Sequence, residues 1–420
     1  MTMASSVRDD VVRYDLSDPT LLFREDVIDD PVPLYEQLRR EAPVWEIPGT
    51  QTFLVTRADL VTEAVGRTED FSSNLTSLIY RGDDGQPCVW DMASHGDGTH
   101  VLATADPPVH TVHRKLFQPR LTPARVGELR GSIADAVDEL LTPIISRGHG
   151  DVVAELVDPL PIRVIANVIG LPADSGIDLV QLVLDTDEIL AGVSSPAQMQ
   201  QAAASALEMG QFLGAQLYRE IERGEPSDTL LGVLAAAVGR GEVTFDEAAG
   251  ILVQLLSAGS ETTSSLIGSA IQMLAADDAW QSRLRSEPAR IPDYIEEVLR
   301  LQSPFRFHYR SARRSSRLGG VEIPAGSRVL LMWGAANRDE SYVDHPDELD
   351  IDRPVLRSHF AFGRGIHFCI GAPLARLEAH VAIERLLART SRVQLDVDRP
   401  ARLRRNIFLR RFAQLGVIVS

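Results

Sequence analysis

The residue with the clearest chemical potential lies in a glycine-rich segment near the C-terminus. The segment Phe362-Gly-Arg-Gly-Ile-His-Phe-Cys-Ile-Gly371 contains Cys369, one of only two cysteines, directly before a helix predicted over 372–390. The free N–H groups and the dipole of a helix N-terminus stabilise a thiolate. The glycines allow a tight turn and the close approach of a flat ligand. Backbone N–H groups here can also hydrogen-bond a metal-bound sulfur. For an isolated cysteine, an inert buried thiol in a turn is the alternative.

A second segment of interest is Ala258-Gly-Ser-Glu-Thr-Thr263, which lies inside a long predicted helix. Thr244-Phe-Asp-Glu247 matches a capping box, and helical periodicity continues to about residue 275. Such a helix of about 31 residues would be roughly 46 Å long. Gly259 costs about 1 kcal/mol relative to alanine in a helix interior, so its presence requires a reason. One reason is a simple kink at which Thr262 bonds back to a carbonyl.

Two other patterns have both a chemical and a structural interpretation. His110 and His113 could indicate a metal site, but the sequence shows no third ligand converging on them. The glycine spacing around Cys369 does not match a dinucleotide-binding loop. Glu297 and Arg300 share a helix face and can form a charge-assisted pair, which contributes little if it is exposed.

The composition excludes several classes of protein. The 420 residues include 59 acidic and 42 basic side chains, a net charge of −17, so a nucleic-acid partner is not expected. Residues 1–10 lack the apolar region of a signal peptide, and no apolar run approaches the roughly 20 residues that span a bilayer. We therefore expect a cytoplasmic protein with no membrane contact. Two cysteines cannot form a disulfide framework or a four-thiolate zinc site.

The predicted elements favour a mainly α fold with a minor β portion, in one domain over residues 1–420, because no linker or repeat divides the chain. We predict a hairpin at 44–56, a long loop at 72–100, and strands at 321–323, at 328–332 and after residue 407. The predicted helices are 59–65, 109–117, 123–147, 161–169, 175–191, 197–223, 244–275, 292–300 and 372–390.

The segment around Cys369 resembles the haem-binding loop of the cytochrome P450 family, with Phe, Gly, Gly, Cys and Gly each in the family's place. The resemblance implies the cytochrome P450 fold, a helix-rich core around haem b (iron protoporphyrin IX) with a small β subdomain. It implies that Cys369 is the iron ligand, that Phe362 packs beside the sulfur with Gly363 next to it, and that His367 contacts a haem propionate. His110, Arg114 and Arg310 fit the same propionates, because cations must neutralise two carboxylates.

The resemblance covers essentially the whole chain. Glu297-Val-Leu-Arg300 is similar to the family's Glu-x-x-Arg motif, with Arg353 completing a buried structural network. Ala258-Gly259 and the following residues resemble the oxygen-activation motif, in which small residues open a groove over the iron. Thr262 and Glu261 are implied to be the catalytic residues that deliver protons, with Glu in place of the commoner Asp. An acid and an alcohol suit proton delivery in a dry pocket.

The implied function is a haem-thiolate monooxygenase that inserts one oxygen atom from O₂ into a hydrophobic small organic substrate. Two short runs, Asp70–Leu75 and Phe305–Arg310, resemble an actinobacterial branch of the family. Electrons are expected from a separate ferredoxin or flavodoxin and its NAD(P)H-dependent reductase, because we expect no fused flavin or iron–sulfur domain. Arg364 and Lys115 are predicted to dock this carrier. A non-hydroxylating enzyme (C–C or aryl coupling, or peroxide-driven) and a haem sensor remain alternatives.

The substrate pocket is predicted from the same resemblance. We expect it to be lined by segments 72–100 and 175–223, by Ala258, and by the tail near Phe408-Leu409. Phe305 and Phe307 are expected to narrow it. Arg306 or His308 could meet an acidic group of the substrate, although roles toward the propionates or the surface are favoured.

Overall fold

The computed structural model describes residues 12–92, 99–172 and 176–420, and helices make up most of it. The α-helices are α1 Glu25–Asp29, α2 Val32–Glu41, α3 Ala58–Gly66, α4 Val109–Phe117, α5 Pro123–Gly127, α6 Arg130–Arg147, α7 Pro159–Ile169, α8 Leu179–Thr186, α9 Pro196–Glu222, α10 Leu230–Gly239, α11 Phe245–Ala276, α12 Asp278–Ser286, α13 Ile291–Leu301, α14 Trp333–Ala336 and α15 Ala372–Arg389. The strands are β1 Val44–Ile47, β2 Thr52–Val55, β3 Phe71–Ser72, β4 Ser77–Arg81, β5 Pro87–Asp91, β6 His149–Asp151, β7 His308–Ala312, β8 Ser316–Leu318, β9 Val321–Ile323, β10 Arg328–Leu331, β11 Val393–Leu395, β12 Arg402–Leu403, β13 Phe412–Gln414 and β14 Gly416–Val419.

The largest sheet has the strand order β1-β2-β10-β7-β3. The predicted hairpin forms its edge, with β1 antiparallel to β2, and Gly49 adopts a φ of +76° in the connecting turn. β10 then adds parallel to β2 and antiparallel to β7. A smaller sheet has the order β11-β14-β6, and three two-stranded pairs complete the β portion. Strand β7 of this sheet carries His308 and Arg310, which line the cavity described below.

Helix α11 is the central element, and it confirms the prediction from the capping box. The Thr244 hydroxyl accepts the Glu247 N–H (3.1 Å), while the Glu247 carboxylate accepts the Thr244 N–H (2.7 Å). The helix continues for 32 residues and is buried along most of its length against α7, α9, α13 and α15. A helix packed on several sides presents different faces to different neighbours, so adjacent residues on α11 reach separate environments.

Several boundaries differ from the prediction. Segment 72–100 is not one loop, because its described part contains the β4–β5 hairpin; residues 93–98 lie outside the described residues. The helix predicted over 123–147 is divided into α5 and α6, and the one predicted over 175–191 begins at Leu179, after the N-cap Asp178. Helices α1, α2, α10, α12 and α14 were not predicted. Helix α10 is almost wholly apolar and lacks the polar face of an amphipathic helix, α12 follows α11 after one residue, and α1 and α14 have only five and four residues.

A buried ion network joins α13 to the segment before the cysteine loop. Arg300 forms a bidentate pair with Glu297 (2.7 and 2.9 Å), and Arg353 donates to the same carboxylate (3.1 Å). Arg300 also donates to the carbonyls of Pro346 and Glu348. The Glu297 side chain is fully buried, so its charge depends on these partners. The predicted Glu297–Arg300–Arg353 network is present.

Within the described residues, no helix combines the length and the apolar character that crossing a bilayer requires.

Candidate active site

One cavity collects most of the residues singled out in the sequence. It encloses about 1460 Å³ of space free of protein atoms, part of it open to solvent, and its lining is mostly apolar. It lies between α4, α11, β7, the 361–371 segment and the start of α15. Of the predicted site residues, those in its lining are Ala258, Gly259, Thr262, His110, Arg114, Arg310, Phe362, Gly363, His367 and Cys369.

Cys369 is held by the backbone of its own loop. Its N–H donates to the Phe362 carbonyl (2.9 Å), and Gly363 and Gly365 take φ values of +66° and +71°, which glycine adopts readily. The N–H groups of Gly371 and Ala372, at the start of α15, hydrogen-bond its sulfur. Its side chain is exposed to the cavity. The loop therefore presents one sulfur, supported by two backbone donors, to an enclosed space.

The electrostatic environment of the Cys369 thiol contains two opposing effects. Burial away from bulk water raises its pKa, whereas the Gly371 N–H and the Arg114 guanidinium lower it. A bound cation would add to the second effect, because a coordinating thiol is deprotonated by the metal. The site thus suits a sulfur that becomes a thiolate on binding a metal.

Four basic side chains converge on the wall of the cavity beside the cysteine loop. The rings of His110 and His367 lie 4.1 Å apart, and Arg114 and Arg310 complete the group. Burial and then the nearby Arg310 lower the pKa of His367 to about 3. Burial lowers the pKa of Arg310 to about 10. Burial therefore disfavours the cationic form of the His367 imidazole, whereas the Arg310 guanidinium remains cationic at neutral pH and attracts an anion.

These side chains fit a ligand that brings its own carboxylates. Among the described residues, no ion pair with a protein carboxylate involves Arg114 or Arg310, and the buried Nε2 atom of His367 has no hydrogen-bond partner. Arg310 donates to the neighbouring carbonyl of Tyr309. A haem placed with its iron at Cys369 would supply two propionates to this group, so the donor set fits that cofactor.

His308 is a cavity residue to which the sequence assigned no definite role. The Trp333 indole N–H donates to its Nδ1 (2.7 Å), so its Nε2 carries the proton of the neutral ring. Burial lowers the His308 pKa to about 3, with a smaller contribution from Arg310. His308 therefore presents an N–H donor in the cavity. The signal in the sequence was only its position two residues before Arg310.

Thr262 and the small residues before it lie where α11 borders the cavity. The Thr262 hydroxyl donates to the Ala258 carbonyl (2.8 Å), as the kink alternative described, but α11 continues as an α-helix through this point. A Cβ at Gly259 would lie 3.0 Å from the Ile165 side chain, so a larger residue would require Ile165 to shift, and glycine favours the close packing of α11 against α7. Thr262 nevertheless lines the cavity, and we expect its hydroxyl to donate there after rotation about the side chain.

Glu261 is placed differently from Thr262. It is 9% exposed and is not among the cavity-lining residues. Burial first, and then the neighbouring Asp187, raise its pKa well above the ordinary value. The acid and the alcohol are therefore adjacent along the helix, but they face different surroundings.

The metal alternative at His110 and His113 is not supported. His113 accepts the Leu102 N–H at its Nδ1 (3.2 Å) and has its Nε2 3.8 Å from Glu247, whereas His110 packs against His367. The described residues contain no group of three or more His, Cys, Asp or Glu side chains suited to hold a metal ion. Although His110 and His113 are only three residues apart on α4, their rings contact different parts of the protein.

The predicted pocket lining is partly wrong. Phe305 and Ala258 line the cavity, but Phe307 is fully buried against Tyr309 and Phe408. Arg306 points away, donating to the Ile28 carbonyl (2.6 Å).

Segments 72–100 and 175–223 were expected to cover the substrate. They contribute instead to the lining of a second cavity. Leu78 and Trp90 of the β4–β5 hairpin face Leu190 and Met199 across it, and it encloses about 1330 Å³ with its open mouth. Among the described residues, no part of 175–223 lines the first cavity.

A carboxylate beneath the cysteine loop makes a pH-dependent contribution to stability. Glu296 accepts hydrogen bonds from Arg376 (2.6 and 2.8 Å) and lies 3.0 Å from His359, while the Arg376 guanidinium stacks 4.4 Å from the Phe362 ring. Burial would raise the Glu296 pKa, but the hydrogen bonds from His359 and Arg376 outweigh it and lower the pKa to about 2. Glu296 thus links α13 to the loop that carries Cys369, because its partner Arg376 stacks on Phe362 of that loop.

We expect Glu296→Gln to destabilise the fold at pH 7 by on the order of 3 kcal/mol. Because the folded-state pKa is depressed, this stabilisation is present above the ordinary pKa of 4.5 and is lost as the pH falls from about 5 toward 2. Denaturant unfolding at several pH values would show the deficit shrinking in acid. Asp293→Asn is the control, since its pair with Arg290, the N-cap residue of the same helix, is partly exposed; it should cost less than about 1 kcal/mol. A Glu296→Gln deficit independent of pH would contradict the assignment.

Comparison with known proteins identifies the family. A family model described as Cytochrome P450 matches residues 197–411. Cytochrome P450 144 of Mycobacterium tuberculosis is 38% identical over 377 residues, which cover 90% of this chain and 86% of that protein. The 6-deoxyerythronolide B hydroxylase of Saccharopolyspora erythraea is 35% identical over 319 residues, 75% of this chain and 77% of that protein. The crystal structure of CYP109E1 from Bacillus megaterium in complex with testosterone is similar, with a TM-score of 0.81 and 31% identity over 94% of this chain and 99% of that one.

The fold and these relatives define a haem-thiolate monooxygenase, a class of oxidoreductase that binds iron protoporphyrin IX. The chain belongs to the cytochrome P450 family. The predicted family and the mainly α fold class with its minor β portion are confirmed. The roles of the individual site residues remain predictions.

Proposed function

We propose that this cytochrome P450 inserts one oxygen atom from O₂ into a hydrophobic small organic substrate, using electrons from a separate ferredoxin or flavodoxin and its NAD(P)H-dependent reductase. The observation that carries the proposal is the composition of the first cavity. It combines a sulfur with two backbone donors, a group of basic side chains, and Thr262 within a largely apolar wall; in the described part of the chain, Arg114 and Arg310 of this group form no ion pair with a carboxylate.

Each residue has a physical role in this proposal. Cys369 holds the iron, and the N–H groups of Gly371 and Ala372 stabilise its thiolate. Arg114 and Arg310, with the imidazoles of His110 and His367, bind the propionates. Phe362 and Gly363 border the Cys369 sulfur and would border the haem ring. When bound, the haem supplies the oxygen-activating chemistry.

The protein's part in the reaction is to exclude water and to position a proton. Ala258 and Gly259 leave space beside α11. Thr262 holds a proton at Oγ1 against the Ala258 carbonyl and turns to donate it into the cavity. Glu261 replenishes that proton from the far side of the helix. A dry site of this kind strengthens each hydrogen bond that it contains.

The cavity wall supports a hydrophobic substrate. Apolar side chains from five parts of the chain form it: Leu102, Ile165, Leu255, Leu266, Leu299 and Phe305. One relative is named as a hydroxylase of 6-deoxyerythronolide B, and one similar structure holds testosterone. These ligands have in common a largely apolar skeleton, and the substrate proposed here is of that chemical class.

The carrier is proposed to dock beside the cysteine loop. Lys115 on α4 is exposed, and Ile366 and Phe368 expose apolar surface that does not line the cavity. Arg364 contributes less than expected, because its guanidinium is held over Phe360 (4.1 Å) and bonds to the Ser358 carbonyl. Positive charge at Lys115 suits an acidic carrier.

We expect the purified chain with NADPH alone to form no product, and the addition of ferredoxin with its reductase to start turnover. The measurement is product formed per NADPH, with an apolar substrate found by its displacement of iron-bound water in the optical spectrum.

Lys115→Glu should slow reduction by the carrier at low salt, and its rate should converge with that of wild type at high salt. Arg240→Glu, at the exposed end of α10, should leave reduction unchanged. Efficient NADPH-coupled product from the isolated chain would refute the separate carrier.

A further inference from the structure

Helix α9 carries an apolar surface that the proposed haem site does not use. Leu207 and Tyr218 are 64% and 57% exposed, the highest values for large apolar side chains in the described α-helices. They are 11 residues apart, which is about three turns, so both lie on the same face of the helix. The Tyr218 hydroxyl donates to Glu222 (2.8 Å), and this bond holds the ring at the surface.

The apolar surface continues onto a neighbouring helix. Phe245, the first residue of α11, is 37% exposed, and its ring lies 3.9 Å from the position that a Cβ of Gly214 would occupy. We call Leu207, Gly214, Tyr218 and Phe245 together the α9 patch. Single exposed apolar residues are normal in a folded protein, whereas a group of them on one face is typical of an interaction surface.

Two glycines of α9 have no packing role within one chain. Gly210 and Gly214 lie in the helix interior, where glycine is less favourable than alanine. Among the described residues, a Cβ at Gly210 would meet no atom within 4 Å, and a Cβ at Gly214 would make only an ordinary contact with Phe245. Both glycines are accounted for if another helix approaches α9 closely at this point, because a glycine lets two backbones come near each other.

Exposed charges border the α9 patch along one edge. Glu208 and Arg219 follow Leu207 and Tyr218 in the sequence, so each lies about 100° around the helix from its apolar neighbour, in the same direction. Both are exposed, and within the described part of the chain neither forms a salt bridge. One edge of the face therefore carries a negative charge toward the helix N-terminus and a positive charge toward the C-terminus.

We propose that the α9 patch binds the α9 patch of a second copy of this chain, with the two α9 helices antiparallel. A twofold axis near residue 213 places Leu207 of each copy against Tyr218 of the other, because the two residues are almost equally far from that point along the helix. The glycines then lie near the crossing point of the two helices, where the backbones approach most closely.

The charges select this orientation. In an antiparallel pair related by a twofold axis, the same edge of each helix faces the other copy, so Glu208 of each copy meets Arg219 of the other. The interface thus gains two ion pairs of opposite charge. A parallel arrangement would bring Leu207 to Leu207 and Tyr218 to Tyr218, and it would leave Glu208 and Arg219 about three turns apart.

The pairing leaves the two cavities free. Pro196 and Met199 line the second cavity from the start of α9, and they lie beyond the part of the helix that an axis near residue 213 would pair. The contact is also small, since it involves one helix and one residue of α11 from each copy. Interfaces below roughly 1,200 Å² are typical of weak association, so we expect monomer and dimer in equilibrium. The proposal concerns assembly and does not depend on the proposed monooxygenase function.

Sedimentation equilibrium of the haem-loaded chain at increasing concentration measures this equilibrium. The average mass should rise from that of one chain toward that of two. Leu207→Asp should weaken the association by at least about tenfold, because the symmetry introduces the change twice in one interface. Val397→Asp is the matched control: Val397 is an exposed apolar residue, 87% accessible, outside α9, and its replacement should leave the association unchanged.

Exchange of the edge charges tests the orientation. Glu208→Arg and Arg219→Glu should each weaken the association at low salt, because like charges then meet in the pair. An equimolar mixture of these two variants should associate better than either alone, and the double variant should recover the wild-type equilibrium. Differences among these proteins should shrink at high salt.

Gly214→Gln separates packing between copies from packing within one chain. The side chain has open space in the monomer and glutamine favours the helix, so the thermal midpoint of the dilute protein should not fall. The same substitution adds bulk where the two helices cross, so the association should weaken. Haem content and the optical spectrum of every variant establish that it is folded and loaded.

The results decide the proposal in each case. A mass of one chain at every concentration would refute it, and binding of such a monomer to phospholipid vesicles through Leu207 would assign the α9 patch to a membrane surface instead. Association that Leu207→Asp leaves unchanged would place the interface on another face. Association that depends on Leu207 but is not restored by the double charge exchange would refute the antiparallel arrangement.

Discussion

Cys369→Ser should abolish the red-shifted Soret band that the reduced, carbon monoxide-treated wild type is expected to show. That band requires a thiolate ligand, and a serine hydroxyl is not a thiolate. The substitution keeps the Cys369 N–H bond to Phe362 and the start of α15 at Ala372, so the loop has no reason to unfold. We expect the change in the spectrum to be complete and the haem content to be reduced but not abolished, because the propionate-binding group is intact.

Cys88→Ser is the matched control, since Cys88 is the other cysteine of the chain and lines the second cavity. It should leave the carbon monoxide spectrum unchanged. Optical spectra of both variants, normalised to haem content, provide the comparison. A thiolate-type spectrum that persists in Cys369→Ser would refute the assignment of the iron ligand.

Thr262→Ala should bind haem, substrate and oxygen, but it should divert its electrons to hydrogen peroxide. Loss of a positioned proton donor typically costs about 10²–10⁴-fold in rate, so product per NADPH should collapse. Folding should change little, because the lost hydroxyl bond to Ala258 within the helix contributes at most about 1–2 kcal/mol. The measurement is the ratio of product to peroxide with any substrate that wild type oxidises.

Two further variants on α11 test whether the effect depends on the hydroxyl at position 262. Thr262→Ser retains a hydroxyl and should retain most of the coupling. Ser264→Ala removes a hydroxyl that donates to the Val157 carbonyl (2.8 Å) on the α7 side, and it should affect stability more than coupling. Full coupling in Thr262→Ala would refute the proton role of Thr262. It would then favour a different donor or one of the non-hydroxylating alternatives.

Local signals in the sequence were sufficient for the main helices and the cysteine loop. The capping box at Thr244, the long apolar periodicity after it, and the glycines around Cys369 act over a few residues, so they can be recognised without knowing what they pack against. The β4–β5 hairpin was missed because its residues lack a clear alternation, and its strands are stabilised by pairing with each other.

The sequence by itself determined the family, the central helix and the candidate ligand Cys369, because each depends on residues that are neighbours in the chain. Only the tertiary structure decided which charges remain without partners. Among the described residues, Arg114 and Arg310 form no ion pair with a carboxylate, whereas Glu261 meets Asp187 and Arg411 from segments 74 and 150 residues away. Burial and pairing of a charge depend on long-range packing, and a rotation of α11 by one residue, about 100°, would place the same glutamate at the cavity wall.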